Sequence, residues 1–156
     1  MSLTAITAGI VLLNASQKNQ PEAKITDVGT AVGIVGSYAI TDKQYIVPIT
    51  NQSLPQIQVF TDPLIDGDRL TGNGIEFTTE LLFELQKNHI AVASVSIYTR
   101  DYSILRLVTN TIVIYKEKGS ASELAASLQS MLSVFTIEGR NPSEIDFRFD
   151  KPVLRY

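Results

Sequence analysis

The stretch Ile145-Asp146-Phe147-Arg148-Phe149-Asp150-Lys151-Pro152-Val153-Leu154-Arg155-Tyr156 decides the reading of this chain. Ile145, Phe147 and Phe149 alternate with Asp146, Arg148 and Asp150, the period-two pattern of a half-buried strand. Asp150 and Lys151 then make a turn. Pro152 lacks a backbone N–H, so it belongs at the first position of a strand or on an edge, and Val153 to Tyr156 follow in extended form. The block reads as a β-hairpin whose last strand is C-terminal. Such a strand can be an open sheet edge, where unpaired N–H and C=O groups accept a partner's strand. The plainer alternative is an ordinary closing hairpin.

Working upstream, Ser120-Ala121-Ser122-Glu123 is a capping box, and Leu124, Leu128, Met131, Leu132 and Phe135 continue at helical spacing. A second amphipathic helix is therefore expected to run to about Phe135. Before it come three strands, Ile90 to Tyr98, Tyr102 to Val108 and Thr111 to Lys116, with Arg100-Asp101 and Thr109-Asn110 as turns. Asn tolerates the positive φ of a tight hairpin. A first helix is expected through about Asn88, capped by Asn73 with Glu76 reaching back, and with Ile75, Thr78, Leu81, Leu82 and Leu85 on its buried face.

The N-terminal half is strand-like. Ala31 to Ile40 is apolar with Gly33 and Gly36, Thr41 to Gln44 is a turn signal, and Tyr45 to Ile49 is a strand. Leu54 to Phe60 alternates, and Thr61 to Gly74 reads as a loop. Leu3 to Leu13 is expected to be a strand or an arm, followed by a polar loop from Asn14 to Glu22. Together these elements predict an α+β domain over residues 31–156: an antiparallel sheet, open to some parallel pairing, with two helices packed on one face. Residues 1–30 are a preceding arm or a remnant of another region.

Composition narrows the functions. A chain of 156 residues suffices for one core. Cysteine is absent, which excludes a disulfide scaffold, a thiolate metal site and a cysteine nucleophile. A net charge of −3 provides no basic field for nucleic acid. The apolar run Ala5 to Leu13 falls short of the roughly 20 residues a membrane helix needs.

Catalytic patterns are missing as well. His89 is the single histidine and is expected at a helix end; no G-x-S-x-G turn, P-loop or G-x-G-x-x-G fingerprint occurs. Asp62, Asp66 and Asp68 crowd one loop, where they can be solvated turn residues or ligands for a hard cation. The expectation is no enzyme, no metal and no cofactor. The alternatives are a metal-dependent enzyme centred on that loop, or an extracellular or phage-like module that self-associates through its edges.

The order helix, short linker, IDFRF and final strand resembles the C-terminal part of the bacterial cell-division family FtsQ/DivIB, whose typical strand carries Ile-Asp-Leu-Arg followed by Phe or Tyr. The stretches SYAITDKQYIVPI (Ser37 to Ile49) and LPQIQVF (Leu54 to Phe60) resemble the family's first hairpin and its short Leu-Pro strand, though the glycine common in that first turn is missing. The resemblance covers Ser37 to Tyr156. It implies an FtsQ/DivIB-like β-domain on the extracytoplasmic face of the bacterial cell membrane at the division septum, held there by an anchor absent from this chain. It also implies a monomeric domain that binds FtsB/FtsL-type partners, with no nucleic acid. Arg148 and Phe149 stand where the family's arginine and aromatic contribute to partner contact; Val153, Leu154, Arg155 and Tyr156 form the pairing strand, and Arg100 matches a second basic contact. From the residues alone, Arg148 is equally a solvated strand-face charge and Phe149 a core residue alternating with Phe147.

Overall fold

The computed structural model describes residues 27–156, so the expected strand or arm at Leu3 to Leu13 lies outside the described residues. Nine strands of the described residues form one sheet. They are β1 (Ala31–Val35), β2 (Tyr38–Thr41), β3 (Ile46–Val47), β4 (Gln56–Val59), β7 (Val92–Ile97), β8 (Ser103–Leu107), β9 (Ile112–Tyr115), β10 (Glu144–Asp146) and β11 (Val153–Arg155), and their spatial order is β11-β10-β9-β8-β7-β4-β1-β2-β3. A separate hairpin pairs β5 (Leu64–Asp66) with β6 (Arg69–Thr71). Among the described residues there are two helices, α1 (Ile75–Lys87) and α2 (Ala121–Glu138).

The sheet is mixed rather than purely antiparallel. β1 pairs parallel with β4, β4 with β7, and β9 with β10. Parallel neighbours need a crossover: α1 lies in the connection from β4 to β7, and α2 in that from β9 to β10. The remaining pairs are antiparallel hairpins.

Cross-strand register explains the core. Ile57, Val95, Leu105, Val113, Ile145 and Leu154 are successive neighbours across six strands. These residues share one apolar cluster with Ile75, Leu81, Leu82 and Leu85 of α1 and with Ala121, Ala125, Leu128 and Phe135 of α2, so both helices cover this face. Ala121 and Ala125 are fully buried, and their small side chains let the α2 backbone approach closely. Full burial of Leu85 or Leu105 contributes about 1.5–3 kcal/mol each.

Several local expectations change. The run from Ala31 to Ile40 is itself a hairpin that turns at Gly36, where φ is 60°. The stretch read as a loop holds β5 and β6, with the turn at Gly67 and Asp68. Gly74 rather than Asn73 caps α1: its φ is 86°, and there is no side-chain capping hydrogen bond. A Cβ there would lie 2.6 Å from Ile97 Cγ2, so close packing against β7 selects glycine. The capping box of α2 forms as expected. This helix runs on to Glu138, stopped by left-handed Gly139, with the Arg140 N–H donating to the Phe135 carbonyl.

Candidate interaction edge and aromatic ladder

The IDFRF block is a shorter strand than its alternation suggests. β10 ends at Asp146, and the chain bends through Phe147 to Lys151 before β11 returns antiparallel, with Glu144, Ile145 and Asp146 opposite Arg155, Leu154 and Val153. Asp146 causes the stop. Its Oδ1 accepts the Arg148 N–H at 3.0 Å, a local turn that competes with the ladder.

The same carboxylate holds the Arg148 side chain. Nε donates to Oδ1 at 3.0 Å and Nη2 to Oδ2 at 2.7 Å, a two-pronged ion pair with Asp146 only 3% exposed. Hydrogen bonding from Arg148 holds the Asp146 carboxyl below its ordinary range, against the opposing effect of burial. Asp146 was expected on a solvent face; it is buried because Arg148 folds over it. Arg148 is thus a cation paired within the chain, with about 35% of its side chain still exposed.

Beyond Asp146 the guanidinium lies 5.3 Å from the Tyr102 ring centre and 5.8 Å from that of Phe149. Tyr102 meets Tyr98 at 5.2 Å, and Tyr98 stacks on Phe60 at 4.7 Å with the rings 5° apart. These contacts make one ladder, Phe60, Tyr98, Tyr102, Arg148 and Phe149. It runs along the end of the sheet where β4, β7 and β10 finish and β8 begins.

Alternation places the ladder on the side of the sheet away from α1 and α2. Gln58, Ser96, Ile104, Ile114, Asp146 and Val153 are neighbours in the register that faces away from the core cluster; Phe60, Tyr98 and Tyr102 lie just outside the strand ends, each two residues from a member of that row, and Arg148 joins them from the bend after β10. Phe60 is 59% and Phe149 57% exposed. Phe149 is therefore surface rather than core, and only Phe147 packs inward with Ile145.

The other candidate residues divide between faces. Leu154 points to the core, whereas Val153 and Arg155 occupy the opposite side and Tyr156 is exposed. Arg155 Nη1 pairs with Glu144 Oε1 at 2.9 Å. Arg100 sits in the β7–β8 turn, 3.6 Å from Glu117, and is not part of the β11 edge. Burial pushes the Glu117 carboxyl up, and Arg100 pulls it back.

The two ends of the sheet differ. Among the described residues, β11 has a strand neighbour only on its β10 side. At the opposite end, the Ile46 N–H of β3 donates to the Asp68 carbonyl at 2.7 Å, and Leu70 N–H to the Gln44 carbonyl at 2.9 Å, so the β6 segment covers that edge. Gln44 anchors the arrangement: its Nε2 donates to Thr79 Oγ1 at 3.1 Å, and its Oε1 accepts from Arg69 at 2.8 Å. A shallow cleft of about 360 Å³ beside it is lined by charges of both signs, including the Lys43–Asp27 pair.

Asp62, Asp66 and Asp68 are exposed, and among the described residues no three acidic or histidine side chains converge as metal ligands. His89 follows the C-terminal residues of α1 at a φ of 57°, its N–H donating to the Gln86 carbonyl. No described helix is long and apolar enough to cross a membrane. No protein-family model matches the chain, and no curated protein matches it.

Tyr98 and Tyr102 were not singled out from the sequence, yet one signal was there. Each stands two residues from Arg100, one on either side of the turn, and a tight hairpin brings such residues together across its strands. Phe60 had no local signal, because β4 reaches β7 only through a crossover.

Proposed function

We propose that this chain is a non-enzymatic scaffold domain of the FtsQ/DivIB kind. It joins FtsB/FtsL-type division proteins by accepting a strand at β11, on the extracytoplasmic face of the bacterial membrane at the septum. The observation that carries this reading is the asymmetry of the sheet: one edge is covered by the β6 segment, while β11 carries no strand on its outer side among the described residues and presents exposed Val153 and Tyr156. Main-chain hydrogen bonds supply the affinity of strand addition and flanking apolar side chains the selectivity. The paired state of Arg148 changes its part in this reading. It stiffens the loop before β11 and offers a guanidinium plane for stacking, rather than a free charge for an acidic partner.

The test is calorimetric titration with a peptide covering the helix-to-strand segment of the same organism's FtsB-like protein. The full chain should bind; a chain truncated after Asp150 should not, while keeping its circular dichroism spectrum. Equal binding by both, or by neither, would overturn strand addition at β11. Sedimentation of the chain alone separates this reading from self-association, since pairing of two β11 strands would produce a dimer without peptide.

A further inference from the structure

We infer that the ladder of Phe60, Tyr98, Tyr102, Arg148 and Phe149 is a second contact surface for the segment that adds to β11, and that it takes aromatic or long aliphatic side chains. The inference rests on the strand-addition reading and extends it to a surface reaching four strands inward.

Topology gives the first reason. Val153, the first residue of β11, is paired with Asp146, the last of β10, so β11 begins beside the ladder. A strand laid along β11 in either direction therefore has one end next to Phe149. From β10 to β4 there are four inter-strand steps, about 19 Å, which about six extended residues can cross. A segment continuing beyond the added strand has the ladder within immediate reach.

The chemistry of the surface gives the second. Arg148 is paired with Asp146, Arg100 with Glu117, and Lys118 with Asp150 at 2.7 Å. Arg148, the cation inside the ladder, is answered by the buried Asp146, so the ladder itself offers little unpaired charge. Ring faces and edges remain, held in place by mutual stacking, with Phe60 and Phe149 more than half exposed at the two ends. Pre-stacked rings lose little conformational freedom when an apolar side chain settles on them, the property that makes aromatic residues frequent binding anchors.

The experiment uses the full chain and two peptides: the helix-to-strand segment of the FtsB-like protein and a shorter peptide holding the strand alone. Phe60→Ala should weaken binding of the long peptide about tenfold and leave the short peptide unaffected. Leu64→Ala removes another exposed apolar side chain, on β5, and should change neither. If Phe60→Ala binds the long peptide within about twofold of the parent chain while truncation after Asp150 abolishes binding, the ladder has no such role and strand addition stands. If the unaltered chain binds neither peptide, both readings fall.

Discussion

The phenolic oxygen of Tyr115, at the end of β9, lies 2.7 Å from the hydroxyl of Thr78 in α1, and both side chains are buried. The pair joins the helix to the sheet at a point where neither group can reach water. Burial pushes the Tyr115 phenol well above its ordinary pKa, so it stays a neutral hydroxyl across the physiological range. Tyr115→Phe leaves the Thr78 hydroxyl without this partner and should cost about 1–3 kcal/mol in urea unfolding. Adding Thr78→Val should recover most of that loss, because replacing both partners by apolar groups of similar shape is nearly neutral. Additive losses in the double variant would show that packing, not the hydrogen bond, was measured.

Gly74 should resist substitution more than the other helix boundaries. Gly74→Ala places a methyl group 2.6 Å from Ile97 Cγ2 at a φ of 86°. The backbone cost of about 1–2 kcal/mol adds to overpacking of about 1–3 kcal/mol. A fall in midpoint stability of at least about 2 kcal/mol is expected, against an effect near zero for Gly67→Asn, where the turn is open and Asn tolerates positive φ.

Asp146 makes stability depend on acid. Its folded pKa is depressed, chiefly by the Arg148 hydrogen bonds, so the stabilisation is fully present above the unfolded carboxylate value of about 4 and is lost as pH falls through the lower folded value. Asp146→Asn should lower stability at pH 7 and flatten the decline as pH falls below about 4. An unchanged slope in denaturation series over that range would assign the acid sensitivity to other carboxylates.

The capping box of α2 is the simplest local determinant to test. Ser120 Oγ accepts the Glu123 N–H at 3.2 Å, and Glu123 Oε2 accepts the Ser120 N–H at 3.2 Å. Ser120→Ala should cost about 1 kcal/mol by thermal or chemical unfolding. Ser120→Asp should retain most of the stability, since a carboxylate also caps and suits the helix N-terminus.

Legibility in the sequence followed the range of the interaction responsible. The Ser120 and Glu123 pair is three residues apart, and the apolar face of α1 repeats with the helical period, so both were readable. The Thr109-Asn110 turn was readable for the same reason, and Asn110 does adopt a φ of 70°. The cap of α1 was misplaced by one residue, because Asn73 carries the usual capping chemistry while packing against Ile97 selects Gly74. Near the C-terminus, Val153 to Arg155 were correctly seen as a strand next to a turn, with Tyr156 just outside it. Phe149 was misassigned because its alternation with Phe147 continues after the strand has stopped at Asp146.

By itself, then, the sequence determined the two amphipathic helices, most strand segments and their turns, because these rest on side-chain period, capping and backbone preference within a few residues. Only the tertiary structure decided that β4 runs parallel to both its neighbours and β10 to β9, that among the described residues one sheet edge is covered and the other open, and that Phe60 stacks on Tyr98 beside Arg148. Those outcomes depend on which distant segments share a register across the sheet. The two crossovers and the common core beneath α1 and α2 set that register, and no local pattern encodes it.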